Sequence, residues 1–308
     1  MKEIRYKDRD EWLSLRRQYI GGSDAAAAIG MSQWKSPFAL WCEKTGRTEE
    51  FTGNLTTQVG AYLEDFVAQM FSEQTGKKVR KKNSILLNDA YPFACADVDR
   101  LIVGERALLE IKTTNSVPLM RAIRKDKTEF PDAYYAQVVH YLAVTGLDKA
   151  YLAVLVNCRE LVIYELERDE DEIRALMEAE AAFWRHVEDD APPETDGSDS
   201  TAAALDELYP ESGEGEITLF GLEGDLTTYM QIKDQLKALK GMQTEIENRI
   251  KACMGDAERA GATGFRVSWK SQSARRFDAA AFAADHGDMD LTPYYKETTS
   301  RYFRIKQI

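Results

Sequence analysis

Cysteine is scarce and scattered in this chain, with four residues at 42, 95, 158 and 253 and no CxxC pair. That spacing offers no disulfide framework and argues against zinc or an iron–sulfur cluster; it suits reduced thiols in a cytoplasmic protein. Long apolar runs are also missing. The longest, "AYLAVLV" at 150–156, is far too short to cross a bilayer. The first twelve residues, "MKEIRYKDRDEW", are charged where a signal peptide would be apolar. Internal repeats are absent. So is an excess of positive charge: the formal net charge is −12, which by itself disfavours a nucleic-acid partner.

The distribution of that charge points the other way. From Glu160 to Asp225 there are 22 acids against three bases, Arg168, Arg174 and Arg185, leaving a net +7 on the remainder. The bases cluster in "KKVRKK" at 77–82, in "RAIRKDK" at 121–127, and near the end at Lys270, Arg275, Arg276, Arg301, Arg304 and Lys306. Basic patches beside an acidic segment suit a phosphate backbone, although each cluster also reads as an ordinary solvated face.

What is present is an ordinary globular composition, 44% hydrophobic and 30% charged over 308 residues, enough for one large domain plus an extension. "SPFALWCEKTG" at 36–46 predicts a short helix with Ser36 at the N-cap, Pro37 in the first turn and Gly46 after the end. A second helix is expected over about 57–75, with Val59, Leu63, Phe66, Val67, Met70 and Phe71 at helical spacing and Gly76 as its stop. Strands are expected near 84–88, 93–103 and 106–113. A short basic helix near 118–127 follows, and then a helix opened by Pro131 with Tyr135, Val138, Val139 and Leu142 inward. "AYLAVLVN" and "ELVIYELE" read as neighbouring strands, and "DEIRALMEAEAAFWRHV" as a closing helix. These predict a core over 1–188, an acidic linker over 189–216 and an extension over 217–308. The extension would carry a long amphipathic helix from Leu226 to Ile250 and a basic hairpin made from "FRVSWK" and "RYFRIK".

"ADVDRLIVGERALLEIKTT", residues 96–114, carries the chemistry. Strands are depleted in acids, so Asp97, Asp99 and Glu110 each need a reason. A two-residue turn at Gly104-Glu105 sets a register in which opposed residues sum to 209. Asp99 then faces Glu110 and Asp97 faces Lys112, all on one face, with Val98 and Ile111 on the other. Opposed carboxylates repel unless a proton or cation joins them, and Mg²⁺ favours such oxygen ligands. A surface hairpin with cross-strand ion pairs would read the same way.

Context adds to the pattern. Glu64 falls at the rim of the apolar face of the 57–75 helix and could reach the same metal, whereas Asp65 points away. Tyr134, Gln137 and Tyr141 form a stripe opposite the core face of their helix, able to meet DNA, the site or another subunit. Arg16 and Arg17 precede Gly21-Gly22-Ser23 at the start of an Ala-rich helix, an arrangement that can hold phosphate and is equally common as a plain cap.

Taken in order, "RRQYIGGSDAAAAIGMSQWKSPFALWCEKTGR", the Glu64 helix, "ACADVDRL", "LLEIKTT" and "YYAQVVHYLAVTG" resemble the YqaJ-like viral recombinase family over about residues 10–187. These are phage-type exonucleases related to lambda exonuclease, within the PD-(D/E)xK nuclease superfamily. The resemblance implies an α/β, restriction-endonuclease-like core with the succession α-β-β-β-α-β and a mixed sheet. It implies that Asp99, Glu110 and Lys112 are the D…ExK triad, Glu64 the helical acid near the metals and Gln137 the glutamine of the following helix. Arg16 and Ser23, with Arg17 as a close substitute for Arg16, would match a pocket for the 5′-terminal phosphate. Lys81, Lys82, Arg121, Arg124, Tyr134 and Tyr141 are candidates for the DNA path. Val98 stands where the family often has proline, and Asp97 offers a second candidate ligand, with Asp99 favoured. The implied activity is Mg²⁺-dependent 5′→3′ digestion of linear duplex DNA, with Mn²⁺ able to replace Mg²⁺. Its product would be a 3′ single strand for a phage annealing protein, and the enzyme a ring-shaped homo-oligomer, often a trimer, in a bacterial host. An endonuclease of the same superfamily and an inactive DNA-binding scaffold are the competing readings.

Overall fold

The computed structural model describes residues 2–49, 53–116, 120, 132–287, 289–297 and 300–306. It divides into two units, Met1–Tyr209 and Pro210–Ile308. The first begins with β1 (Lys2–Ile4), α1 (Arg9–Arg17), β2 (Ile20–Gly21) and α2 (Gly22–Ala28). α3 (Pro37–Lys44) starts where expected: Ser36 accepts the Ala39 N–H, Pro37 occupies the first turn, and Gly46 turns the chain at φ +71°. α4 (Leu55–Thr75) is capped by Asn54 and stopped by Gly76 at φ +74°.

Five strands follow: β3 (Val79–Lys81), β4 (Ile85–Asn88), β5 (Tyr91–Ala96), β6 (Arg100–Ile102) and β7 (Ala107–Thr114). After α5 (Asp132–Thr145) come β8 (Lys149–Val156) and β9 (Glu160–Glu167), then α6 (Glu170–Glu188) and α7 (Asp199–Leu208). The central sheet has the order β3-β6-β7-β8-β9, antiparallel except for the parallel β7–β8 pair that α5 connects. The succession α4, β3, β6, β7, α5, β8 is therefore the expected α-β-β-β-α-β frame, and the architecture is mixed α/β. The expected basic helix near 118–127, and Pro131, lie outside the described residues apart from Met120.

The single strand expected over 93–103 is two strands in two sheets. β5 joins β1, β4 and β2 in a second sheet, while β6 pairs with β7. The chain changes sheet at Asp97–Asp99. Beyond that break the expected register holds, with Arg100 opposite Leu109, Leu101 opposite Leu108, and Gly104 at φ +86° in the turn.

Residues of β7 alternate between two cores. Leu108 packs with Val98 and with Val138 and Leu142 of α5. Leu109 and Ile111 pack with Val67, Ala68 and Phe71 of α4. Val98 and Ile111 thus lie in different cores, not on one shared face as expected, because the sheet change rotates the chain between Ala96 and Arg100. Nor is the expected linker structureless. Ser198 caps α7, whose Ala204 packs against α3 and whose buried Thr201 hydroxyl donates to Ser36 Oγ at 2.8 Å, so the first unit extends to Tyr209.

In the second unit α8 (Glu223–Met254) overruns the expected helix at both ends. β10 (Arg259–Ala262) and β11 (Phe265–Ser268) form the hairpin, with Ala262 opposite Phe265 across Thr263-Gly264. "FRVSWK" therefore pairs with the segment before it. Residues 301–306 carry no strand, since the nearby turn at Gly264 (φ +81°) offers the shorter closure. A short helix, α9 (Ala279–Asp285), follows.

Candidate active site

β7 builds the centre of the site by projecting Glu110 and Lys112 from the face that packs against α5. Glu110 is 2% exposed. Its Oε1 accepts from Gln137 Nε2 at 2.8 Å and lies 2.7 Å from Lys112 Nζ. Its Oε2 is buried without a hydrogen-bond partner. Asp99 reaches the same place from the sheet change, where its Oδ2 accepts the Ile111 N–H at 2.7 Å. Burial, and then the Glu110 charge, push the Asp99 carboxyl well above the usual carboxylate range. Burial also raises Glu110, against the pull of Lys112. Burial works against the Lys112 charge, yet Glu110 and Asp99 together raise its pKa, so it stays an ammonium. The centre is one buried and one half-buried carboxylate, one cation and a Glu110 oxygen with no donor. Such a set accommodates a hard cation or a proton.

α5 supplies the ceiling. Gln137 also donates to Tyr141 at 3.0 Å, and Lys112 Nζ lies 5.5 Å from the Tyr134 ring centroid. Tyr141 is buried, so it supports the site and has no free face for stacking on DNA. Its ring explains Gly22, where a Cβ would fall 2.3 Å from Tyr141 Cε1.

Glu64 is turned to Arg100. The Arg100 guanidinium pairs with Glu64 and with Asp65, the latter at 2.6 Å, and Asp65 also holds Lys81 at 2.8 Å. Asp65 is therefore not idle, and Glu64 belongs to an ion-paired network beside the centre. Among the described residues no three His, Cys, Asp or Glu side chains gather as a metal-binding group. Asp99 and Glu110 come together; Glu64 does not join them directly.

Asp97 goes elsewhere. With the chain changing sheet, it accepts from Trp12 Nε1 at 2.6 Å instead of facing Lys112. Trp12 in turn lies under Arg16, 4.8 Å from guanidinium carbon to ring centroid. Arg16 donates to Ser23 Oγ at 2.7 Å, and Asp24 sits between Arg16 and Lys44, with Lys44 Nζ at 2.7 Å. Burial would raise the Asp24 carboxyl, but Lys44 and Arg16 outweigh it and hold it far below its ordinary value. Arg16 is thus the inward arginine, and Arg17 is exposed.

The expected DNA-path lysines are engaged within the chain. Lys81 pairs with Asp65 and Lys82 with Glu3. Arg121 and Arg124 lie outside the described residues. Several residues had no forecast role: Trp12, Asp24, Lys44, Arg100 and the buried pair His140–Glu180. His140 Nδ1 is 2.9 Å from Glu180 and Nε2 is 2.9 Å from the Cys95 carbonyl. Burial opposes its charge, but Glu180 raises its pKa, and the ring ties α5 to α6 and β5. A usable signal existed for Asp24 and Arg100, which directly follow Ser23 and Asp99.

Comparison with known proteins gives the family and the fold. Residues 11–148 match the model of the YqaJ-like viral recombinase domain. The chain is 38% identical over 307 residues to the uncharacterized protein YqaJ of Bacillus subtilis (strain 168), covering 97% of this chain and 95% of that protein. In fold it resembles the alkaline exonuclease LHK-Exo from Laribacter hongkongensis. The TM-score is 0.51 at 20% identity, covering 59% of this chain and 94% of that one. The structure of LHK-Exo in complex with dAMP matches equally, at 21% identity. The fold is that of the PD-(D/E)xK nucleases, and the chain belongs to the YqaJ-like viral recombinase family.

Proposed function

We propose that this protein is a Mg²⁺-dependent 5′→3′ exonuclease that digests one strand of linear duplex DNA and leaves a 3′ single strand for annealing-type recombination. The observation that carries the proposal is the Asp99–Glu110 pair, Glu110 buried and Asp99 half-buried, with one Glu110 oxygen unpartnered beside the Lys112 ammonium. Burying like charges is costly, so a pair of this kind needs a ligand that completes it. Asp99 and Glu110 would hold the ion, with Mn²⁺ able to replace Mg²⁺ and with Glu64 at the edge of the shell. When bound, the ion supplies charge neutralisation at the scissile phosphate.

The chain's own residues supply the rest. Gln137 fixes the Glu110 carboxylate in one orientation. Lys112, held charged, places its ammonium to stabilise negative charge on the phosphoryl oxygens. Arg16 and Ser23, already hydrogen-bonded to each other, form the pocket for the 5′-terminal phosphate, and Asp24 and Lys44 hold Arg16 in place. Arg suits that role because its planar fork can pair with two phosphate oxygens. LHK-Exo is an alkaline exonuclease solved with a nucleoside monophosphate, which supports the same chemistry here. A ring-shaped homo-oligomer, with three subunits favoured, would add processivity, and a phage annealing protein would receive the single strand.

The test is digestion of three substrates with Mg²⁺: linear duplex with 5′-phosphate ends, linear duplex with 5′-hydroxyl ends, and closed-circular duplex. Rapid loss of the 5′-phosphorylated linear DNA with intact circles supports the proposal. Nicking of circles at the linear rate replaces it with an endonuclease, and no digestion at all replaces it with a DNA-binding scaffold.

A further inference from the structure

The residue after Asp99 is an arginine, and it is buried. Arg100 is 3% exposed at the start of β6, opposite Leu109. Side chains alternate along a strand, so Leu101 turns to the α5 core while Ile102 joins Val67, Ala68 and Phe71 beneath α4. Arg100 shares the side of Ile102 and runs under α4, where it meets two acids of that helix. Its Nη1 donates to Glu64 and, at 2.6 Å, to the Asp99 carbonyl, and its Nη2 donates to Asp65 at 2.6 Å. A guanidinium taken out of water needs such partners.

Pinning α4 to the sheet does not require both acids. Asp65 also holds Lys81 of β3 at 2.8 Å, and Val67, Ala68 and Phe71 pack against Leu109 and Ile111. What the Arg100–Glu64 pair adds is control of a charge. Burial is the main force raising the Asp99 and Glu110 carboxyls, and the charge of half-buried Glu64 adds to both. Glu64 therefore stands within electrostatic reach of the centre, yet its Oε1 is turned to the guanidinium. Mg²⁺ is ordinarily held by one or two carboxylates, with water and substrate phosphate oxygens in the other positions. A third carboxylate would take a position that the phosphate needs and cancel charge that the ion places on it.

We propose that Arg100 is a positioning residue that holds Glu64 out of direct contact with the ion and so keeps the centre at two carboxylates. The inference rests on the reading of Asp99 and Glu110 as the ion's ligands. Without Arg100, Glu64 is an unpaired acid at the edge of the centre and moves onto the ion. Binding of Mg²⁺ then tightens while turnover slows, a combination that loss of fold stability alone does not produce.

The experiment measures the Mg²⁺ dissociation constant of the full chain by isothermal titration calorimetry for wild type, Arg100→Met, Glu64→Gln and the double variant. Single-turnover digestion of 5′-phosphorylated linear duplex at saturating Mg²⁺ is followed in parallel. Arg100→Met should bind Mg²⁺ roughly tenfold tighter than wild type, because ligand charge count sets the affinity of such sites, and should digest more slowly. Glu64→Gln and the double variant should both keep the wild-type affinity, since neither has an acid to release. Arg100→Gln, which retains a donor for the Asp99 carbonyl, takes the place of Arg100→Met if circular dichroism shows that the latter does not fold. Weaker Mg²⁺ binding in Arg100→Met or in Glu64→Gln would make Glu64 a ligand already in the wild type and overturn the proposal. Unchanged affinity with slower digestion in Arg100→Met would make the arginine a pin of the fold and overturn it too, leaving the nuclease reading intact. A wild type that binds no Mg²⁺ would overturn both.

Discussion

Two charged clusters lie near each other in the first unit, and they are built on opposite principles. Around Asp24, the one carboxylate is answered on both sides, by Lys44 on one and Arg16 on the other, and Arg16 also donates to Ser23. Around Glu110, two carboxylates share one ammonium, and one oxygen has no donor. The Asp24 cluster is balanced in the sense that its carboxylate is fully paired, and it holds Arg16 in place. The unbalanced one is poised for something the chain does not itself contain. This contrast locates the chemistry better than a tally of acidic residues would, because both clusters are buried and both are rich in charge.

The largest expected effect breaks the unbalanced cluster. Asp99→Ala or Glu110→Ala should abolish Mg²⁺-dependent digestion while duplex binding, measured by fluorescence anisotropy, stays largely intact. Lys112→Ala should leave the ion bound and lower the single-turnover rate by about 10²- to 10³-fold, the scale of losing one charge-stabilising group.

Breaking the balanced cluster should instead cost stability. Asp24→Ala strands Lys44, whose side chain is 4% exposed, as an unpaired buried cation. Urea unfolding should show a loss of roughly 3–5 kcal/mol. A loss near zero would mean that Lys44 finds water or another partner, and the contrast between the clusters would weaken.

A smaller effect separates structure from recognition within the balanced cluster. Arg16→Ala should remove the preference for 5′-phosphorylated over 5′-hydroxyl ends while residual cleavage persists, and Ser23→Ala should do so more weakly, through loss of one hydrogen bond worth about 1 kcal/mol. Initial rates on the two end types measure both. The smallest effect is expected at Lys81 and Lys82, each already paired with an acid. Neutralising either should change the salt dependence of duplex binding by less than the roughly 0.9 log unit per log unit of salt that a full phosphate contact contributes.

Much of this was legible in the sequence, for identifiable reasons. The β6–β7 register followed from strand alternation and the Gly104 turn, both local properties. α3 and α4 followed from Ser36, Pro37 and Gly76. The change of sheet at Asp97–Asp99 was not legible, because alternation continues unbroken through "ACADVDRL" while the partner strand changes. That one event sent Asp97 to Trp12 and Val98 into the α5 core. α7 was hidden because Asp, Pro, Gly and Ser around it read as linker, while its few apolar residues find a partner in α3. The pairing of Arg100 with Glu64 joins residues 36 positions apart, which no local pattern encodes.

The central claim is that Asp99 and Glu110 form an incomplete pair that a divalent cation completes. Carboxyls raised in the folded state bind protons more tightly folded than unfolded. Metal-free stability should therefore be full below the unfolded carboxyl pKa of about 4 and fall as pH rises through the folded values. The direct measurement is the melting temperature of the wild type and of Glu110→Gln, with and without Mg²⁺, in mildly acidic and alkaline buffers. The wild type should gain stability from Mg²⁺ in alkaline buffer and lose that gain as the carboxyls protonate. Glu110→Gln should melt higher than the metal-free wild type in alkaline buffer and gain little from Mg²⁺. Equal Mg²⁺ shifts in the two proteins, independent of pH, would contradict the account.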